Sequence, residues 1–123
     1  MKHIFLLLFT FPLFSQEQLK YSINFTEKTK SPVPVLFLLH GYGNNEKQFD
    51  ELIERYNNKL LIVSLRAPFR FIVKKNRWYE YSISNGDTLS NQTQITESTN
   101  RIMKTIDHIK NKTQNSGASP ENG

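Results

Sequence analysis

The most chemically specific residues in this sequence are His40-Gly41-Tyr42-Gly43, which follow directly on the apolar run Val35-Leu36-Phe37-Leu38-Leu39. Gly41 and Gly43 admit backbone angles closed to other residues and let the main chain come close to a ligand. Amides in such a turn, not yet tied into a following helix, can point at an oxygen on which negative charge develops. One donor of this kind is worth about 3–4 kcal/mol in a transition state. A glycine turn that merely starts a helix uses the same residues, so the turn alone leaves both readings open.

The elements that must position the turn can be read from periodicity. Leu19, Tyr21, Ile23 and Phe25 alternate with Lys20, Ser22 and Asn24, which predicts a strand with one buried face. Thr26 to Pro34 collects turn-forming and helix-breaking residues. Val35 to Leu39 is apolar without alternation, the pattern of a parallel strand covered on both faces. Asn44 or Asn45 caps a helix whose apolar face is Phe49, Leu52, Ile53 and Tyr56, and Asn57-Asn58 stops it. A second apolar run, Leu60 to Leu65, ends at Arg66-Ala67-Pro68, so strand, glycine turn, helix and strand form a right-handed βαβ unit. Phe69 to Asn91 lacks sustained periodicity and is long enough to predict a functional loop. A last helix starts near Thr93, with Ile95, Ile102, Met103, Ile106 and Ile109 in one stripe. Asn111 to Gly123 holds no apolar residue larger than Ala118 and predicts a disordered polar tail.

Three blocks, Val35 to Glu46 around His-Gly-Tyr-Gly, Leu61 to Pro68, and Arg77-Trp78-Tyr79, stand in an order and spacing that resembles the phospholipase/carboxylesterase family of α/β-hydrolases, in its acyl-protein-thioesterase-like branch. The resemblance covers roughly Val33 to Lys110. It implies the N-terminal part of an α/β-hydrolase fold, a mainly parallel sheet with flanking helices, truncated before the nucleophile elbow. It implies that Tyr42 gives one oxyanion-hole amide and that His40, Gly41 and Gly43 shape the hole. Trp78 and Tyr79 would wall an acyl pocket, although ordinary packing of a long loop explains large aromatics equally well. His40 precedes the oxyanion turn and does not correspond to the family's catalytic histidine.

The same resemblance calls for a Gly-x-Ser-x-Gly elbow followed by an acid and a histidine. The sequence has none of these. Gly117-Ala118-Ser119-Pro120-Glu121 lacks the second glycine and a preceding apolar strand, and Pro120 has no N–H to donate where the elbow must donate one. Ser64 or Ser82 with His40 or His108 and Asp50, Asp87 or Asp107 makes no convincing substitute triad. The reading is therefore the oxyanion end of a secreted carboxylic (thio)ester hydrolase, inactive alone. The other reading is a secreted, non-catalytic βαβ module that binds a small acyl or aromatic ligand, or a partner chain, through Tyr42, Trp78 and Tyr79.

Composition bounds both readings. The 123 residues suffice for one modest domain, and 37% hydrophobic with 22% charged residues is an ordinary globular balance. The net charge of +5 is scattered except for Arg70, Lys74, Lys75 and Arg77. Those cations interleave with aromatics as in single-strand nucleic-acid sites, but no nucleic-acid motif accompanies them, and no nucleic-acid partner is expected. With no cysteine, no metal-ligand spacing and no phosphate loop, neither metal nor cofactor is expected. Met1-Lys2-His3, the apolar stretch Ile4 to Phe14 and Ser15 have the layout of a secretory signal peptide, too short for a stable membrane span. The expected organisation is thus a signal peptide at 1–15, a partial hydrolase domain at 16–110 and the tail at 111–123, in an exported protein. Without a neighbouring strand, Val35 to Leu39 would leave an uncovered sheet edge open to self-association.

Overall fold

A computed structural model describes residues 17–24, 34–56 and 60–115. The expected signal peptide lies outside the described residues, as does the Gly117 to Ser119 segment.

Strand β3 (Leu61–Leu65) is the centre, with all five residues buried. On one side it pairs antiparallel with β1 (Tyr21–Asn24), Tyr21 facing Leu65 and Asn24 facing Ile62. On the other it pairs parallel with β2 (Val35–Leu39), Val35 facing Leu61 and Leu39 facing Leu65. Because strand side chains alternate between faces, Ile23, Val63 and Phe37 form one row across the sheet. This face carries the core, in which Leu19, Tyr21, Val63 and Leu65 close on Ile109 of the last helix, with Trp78 and Ile102 at the margin. On the opposite face the Ser64 hydroxyl donates to the Glu46 carbonyl at 2.6 Å, which holds a 3₁₀ turn (Glu46–Phe49) against the sheet. The Asn45 side chain caps that turn by accepting from the Lys47 amide at 2.9 Å. Helix α1 (Asp50–Tyr56) continues from it with no fully buried residue.

The expectation of a mainly parallel sheet with flanking helices, as in an α/β-hydrolase, is overturned. The described residues form a mixed three-stranded sheet in the order β1-β3-β2, two separate antiparallel hairpins, and two helices, the last at the C-terminal end. The physical reason is that the expected parallel pair, β2 with β3, says nothing of its other neighbours: β1, whose alternation reports only one buried face, joins β3 antiparallel, and the strands after Pro68 close on each other as hairpins instead of extending the sheet. β2 also departs from the expected cover on both faces: it reads as apolar throughout, yet it lies at the sheet margin among the described residues, with Leu36 and Leu39 exposed.

The segment expected to be a long loop is two hairpins. β4 (Phe69–Ile72) pairs with β5 (Lys75–Arg77) across a turn in which Lys74 takes a φ of 59°. β6 (Tyr81–Ser84) pairs with β7 (Asp87–Ser90) across Asn85-Gly86, at φ 51° and 83°. Two consecutive left-handed residues make the I′-type turn whose twist suits a two-residue hairpin. Helix α2 (Gln92–Asn115) begins behind Asn91, whose side chain accepts from the Gln94 amide at 3.1 Å, and it runs on beyond Lys110 into the polar segment. Thr105 is fully buried and its hydroxyl accepts from the Leu19 amide at 2.9 Å, fastening the helix to the chain leading into β1.

Candidate functional site

The end of β2 delivers His40 into a buried position. Its Nε2 accepts a hydrogen bond from the Ala67 amide at 3.0 Å, just past the end of β3. A nitrogen that accepts carries no proton, so the neutral ring must hold its proton on Nδ1. Nδ1 lies 2.7 Å from the Gly41 carbonyl oxygen, to which it donates. Burial pushes the imidazole below its ordinary range, against the opposing pull of the Gly41 carbonyl and the Glu46 carboxylate, while Arg66 adds to the lowering. Both ring nitrogens are committed, which leaves His40 a structural group rather than a base. The Trp78 indole N–H donates to the His40 carbonyl at 2.8 Å, and the two rings pack with centroids 5.3 Å apart. The Ser98 hydroxyl of α2 donates to the Trp78 carbonyl at 2.5 Å. Helix, indole, imidazole and the end of β3 form one continuous chain of hydrogen bonds.

That chain orients the glycine turn. The Gly41 carbonyl also accepts from the Asn44 amide at 3.2 Å, and the Gly41 amide donates to the Gln48 side chain at 2.8 Å. The Gly43 amide donates to the Asn76 carbonyl at 2.9 Å, and the Asn76 amide returns a bond to Asn44 at 2.8 Å. Gly43 has a φ of 72°, whereas a side chain there would meet only Phe71 at an ordinary 3.9 Å, so backbone conformation rather than space calls for glycine. Gly41, Gly43 and Asn44 thus all donate to protein acceptors. Among the described residues none stands on the Tyr42 amide. In a trans peptide the N–H points opposite to the carbonyl of the same unit. With the Gly41 carbonyl held by His40 and Asn44, the Tyr42 N–H is turned the other way.

The Tyr42 ring lies over the hairpins. It is half exposed and packs between Phe71, at 5.3 Å between centroids, and the edge of Tyr81, at 5.1 Å. Its hydroxyl accepts from Arg77 Nη1 at 3.1 Å. The Arg77 guanidinium sits 5.3 Å over the Phe71 ring and pairs with Glu80. Tyr42, Gly41, Gly43, His40 and Trp78 therefore converge, with Trp78 turned into the packing beneath the turn. Tyr79 is exposed, and its side chain makes no ring contact or hydrogen bond with the turn among the described residues.

One pair was missed by sequence reasoning. Glu46 is buried behind the turn, and Arg66 grips it through both oxygens, Nε to Oε2 at 2.6 Å and Nη2 to Oε1. Burial raises the Glu46 pKa, but the Arg66 hydrogen bonds and charge outweigh it and hold the carboxyl below its usual range. The same bonds raise Arg66. The signal available in the sequence was an acid shortly after one apolar run and a base immediately after the next, since parallel neighbours bring their carboxyl ends together.

No triad forms among the described residues. Ser64 and Ser98 spend their hydroxyl protons on carbonyls, Ser82 is on an exposed hairpin, and Asp50, Asp87 and Asp107 are exposed. Among the described residues no cluster of His, Cys, Asp or Glu could hold a metal, and no helix is long and apolar enough to cross a membrane. Comparison with protein-family models, with curated proteins and with solved structures finds no match to this chain.

Proposed function

We propose that the Tyr42 amide is an oxyanion-type donor, and that the chain supplies the acyl-carbonyl-binding end of a secreted carboxylic (thio)ester hydrolase of the phospholipase/carboxylesterase kind. One observation carries the reading: among the described residues no acceptor stands on the Tyr42 amide, whereas the Gly41, Gly43 and Asn44 amides each donate to one, and the anchored Gly41 carbonyl fixes its direction. Because the sequence has no nucleophile elbow, this reading is of binding and charge stabilisation without turnover. The exposed Tyr42, Phe71 and Tyr81 rings beside the amide favour a second reading, a non-catalytic module for a small acyl or aromatic ligand.

Titration of the isotope-labelled chain with butylphosphonate, a stable tetrahedral anion, should shift the Tyr42 amide resonance while Gly41 and Gly43, already bonded, move little. An unmoved Tyr42 amide would sink the reading. Titration with neutral butyramide separates the alternatives: a response equal to that of the phosphonate favours the ligand module. Export is proposed from Met1 to Ser15, and N-terminal sequencing of the secreted protein should begin near Gln16; an intact Met1 on the exported protein would contradict removal of the segment.

A further inference from the structure

We infer that the tip of the β4–β5 hairpin is a docking surface for an anionic lipid bilayer. Phe71, Ile72 and Val73 are exposed by 45%, 50% and 69% respectively, three successive large apolar side chains in solvent. A regular strand would alternate them between faces, but the register shifts between Arg70 and Ile72, so the extra residue breaks the alternation. A patch of this kind on a folded surface marks an interaction site.

Charge selects the partner. Arg70, Lys74 and Lys75 flank the tip, all are exposed, and none has an ion-pair partner among the described residues. Apolar side chains at a tip with cations around them match the acyl boundary and the negative headgroups of a bilayer, since lysine and arginine stems can lie along apolar surface while the charges stay in the headgroup layer. The second hairpin, Tyr81 to Ser90, carries Asp87 at its turn and no cation, so it does not share this complementarity. A single-stranded nucleic acid would offer the same charge, but it needs free ring faces for stacking. Ile72 and Val73 provide none, and Phe71, half-exposed with the Arg77 guanidinium over its ring, is a single ring where successive bases need several.

The tip is also held in place. The backbone bridge between Asn44 and Asn76 joins the hairpin to the glycine turn, and the Asn45 side chain donates to the Lys74 carbonyl at 2.8 Å. A pre-ordered tip loses less conformational freedom on docking than a mobile loop. This inference is independent of the role assigned to the Tyr42 amide.

The chain has no cysteine, so Val73→Cys accepts a single environment-sensitive label at the tip. With vesicles of equal parts phosphatidylcholine and phosphatidylglycerol, the label's emission should shift to the blue, and the chain should sediment with the vesicles less at high salt and little with phosphatidylcholine alone. Replacing Arg70, Lys74 or Lys75 by Gln should weaken binding about fivefold per cation, the fold-change equivalent to about 1 kcal/mol per basic residue near an anionic surface. Ile72→Asp should abolish the label shift, whereas Met103→Asp, at an exposed position of α2, should leave it intact. Should Ile72→Asp lose its native circular dichroism, Ile72→Thr serves in its place, with a weaker shift expected. Equal binding to both vesicle types, sedimentation without a label shift, or a label response to polyuridylate instead of vesicles would each overturn the inference.

Discussion

The β3-centred sheet and the two hairpins use the same side chains, isoleucine, valine, phenylalanine and tyrosine, to opposite ends. Around β3 these residues are out of water: Val63, Leu65 and Ile109 have no exposed surface. In the hairpins Phe71, Ile72, Val73, Tyr81, Ile83 and Leu89 are all exposed, and order there comes from backbone ladders, tight turns and a few ring contacts. Stability therefore resides in the first region, whereas the second is a platform whose apolar surface is free to meet something else. The comparison predicts very unequal responses to the same kind of truncation. Leu65→Ala should cost about 2–5 kcal/mol in chemical denaturation, because it removes buried methyl groups and leaves a cavity. Ile83→Ala, at a residue 72% exposed, should change stability by no more than about 0.5 kcal/mol. A large loss at Ile83 would mean that the hairpins belong to the cooperative core, and the division would fail.

The Glu46–Arg66 pair sharpens the comparison, since it ties the 3₁₀ turn to the end of β3 on the sheet's second face. Its two members are unequally buried: the Glu46 side chain is 10% exposed and that of Arg66 35%. Arg66→Met should therefore cost more than Glu46→Gln, about 3 kcal/mol against about 1 kcal/mol, because the first leaves a buried carboxylate unpaired and the second leaves a guanidinium that can reach water. Equal losses in thermal unfolding would show that the carboxylate has more access to solvent than this burial implies.

Local chemistry and the parallel β2–β3 pair were legible in the sequence, and the partners of the other strands were not. The alternation from Leu19 gave β1 its buried face, Leu60 to Leu65 read as a strand, of which Leu61–Leu65 is β3, and Asn44 or Asn45 read as a cap, of which Asn45 is the one, because each of these depends on neighbours within a few residues. Ile102 and Ile109 were legible as a helix face, although Met103 of the same stripe is exposed. The sheet class differs from the expected mainly parallel one because β1 joins β3 antiparallel and the segment after Pro68 pairs with itself, and alternation over four residues does not state which way a strand runs. The second hairpin is signalled by Asn85-Gly86 and by the alternation Tyr81-Ser82-Ile83-Ser84, but each strand is only four residues long and the return strand Asp87 to Ser90 has Leu89 as its one large apolar residue, too little to sustain a period. For the site, the glycine turn was legible as a place where amides can be freed. That His40 would be the group that turns the Tyr42 amide outward depends on Ala67, a residue from the far side of the parallel pair, and no local pattern announces it.

The seam between the two regions should respond first to acid. His40 joins them, since its ring accepts from Ala67 beside the sheet and its carbonyl accepts from Trp78 at the foot of the hairpins. A protonated imidazole has two donors and no acceptor, so it cannot keep the Ala67 bond. Burial lowers the folded pKa below the ordinary 6.5, so the unfolded chain binds the proton more readily than the folded one. Stability from the neutral ring is then fully present above about pH 6.5 and is lost as the pH falls from there through the depressed folded value. Glu46 acts lower on the scale: its carboxyl is held below the ordinary 4.5, and its contribution, present above that value, disappears as the pH falls through the folded one. Hydrogen exchange measured from pH 7 downward should therefore show the amides of Ala67, Gly43 and Asn76 losing protection before those of Val63 and Leu65, with the glycine turn and the β4–β5 hairpin opening while the sheet is intact. His40→Gln, whose amide oxygen stays neutral in acid, should remove the upper part of this pH dependence and leave the lower part. If the seam and the sheet lose protection together in the native chain, the two regions form one cooperative unit and His40 is not its acid-sensitive joint.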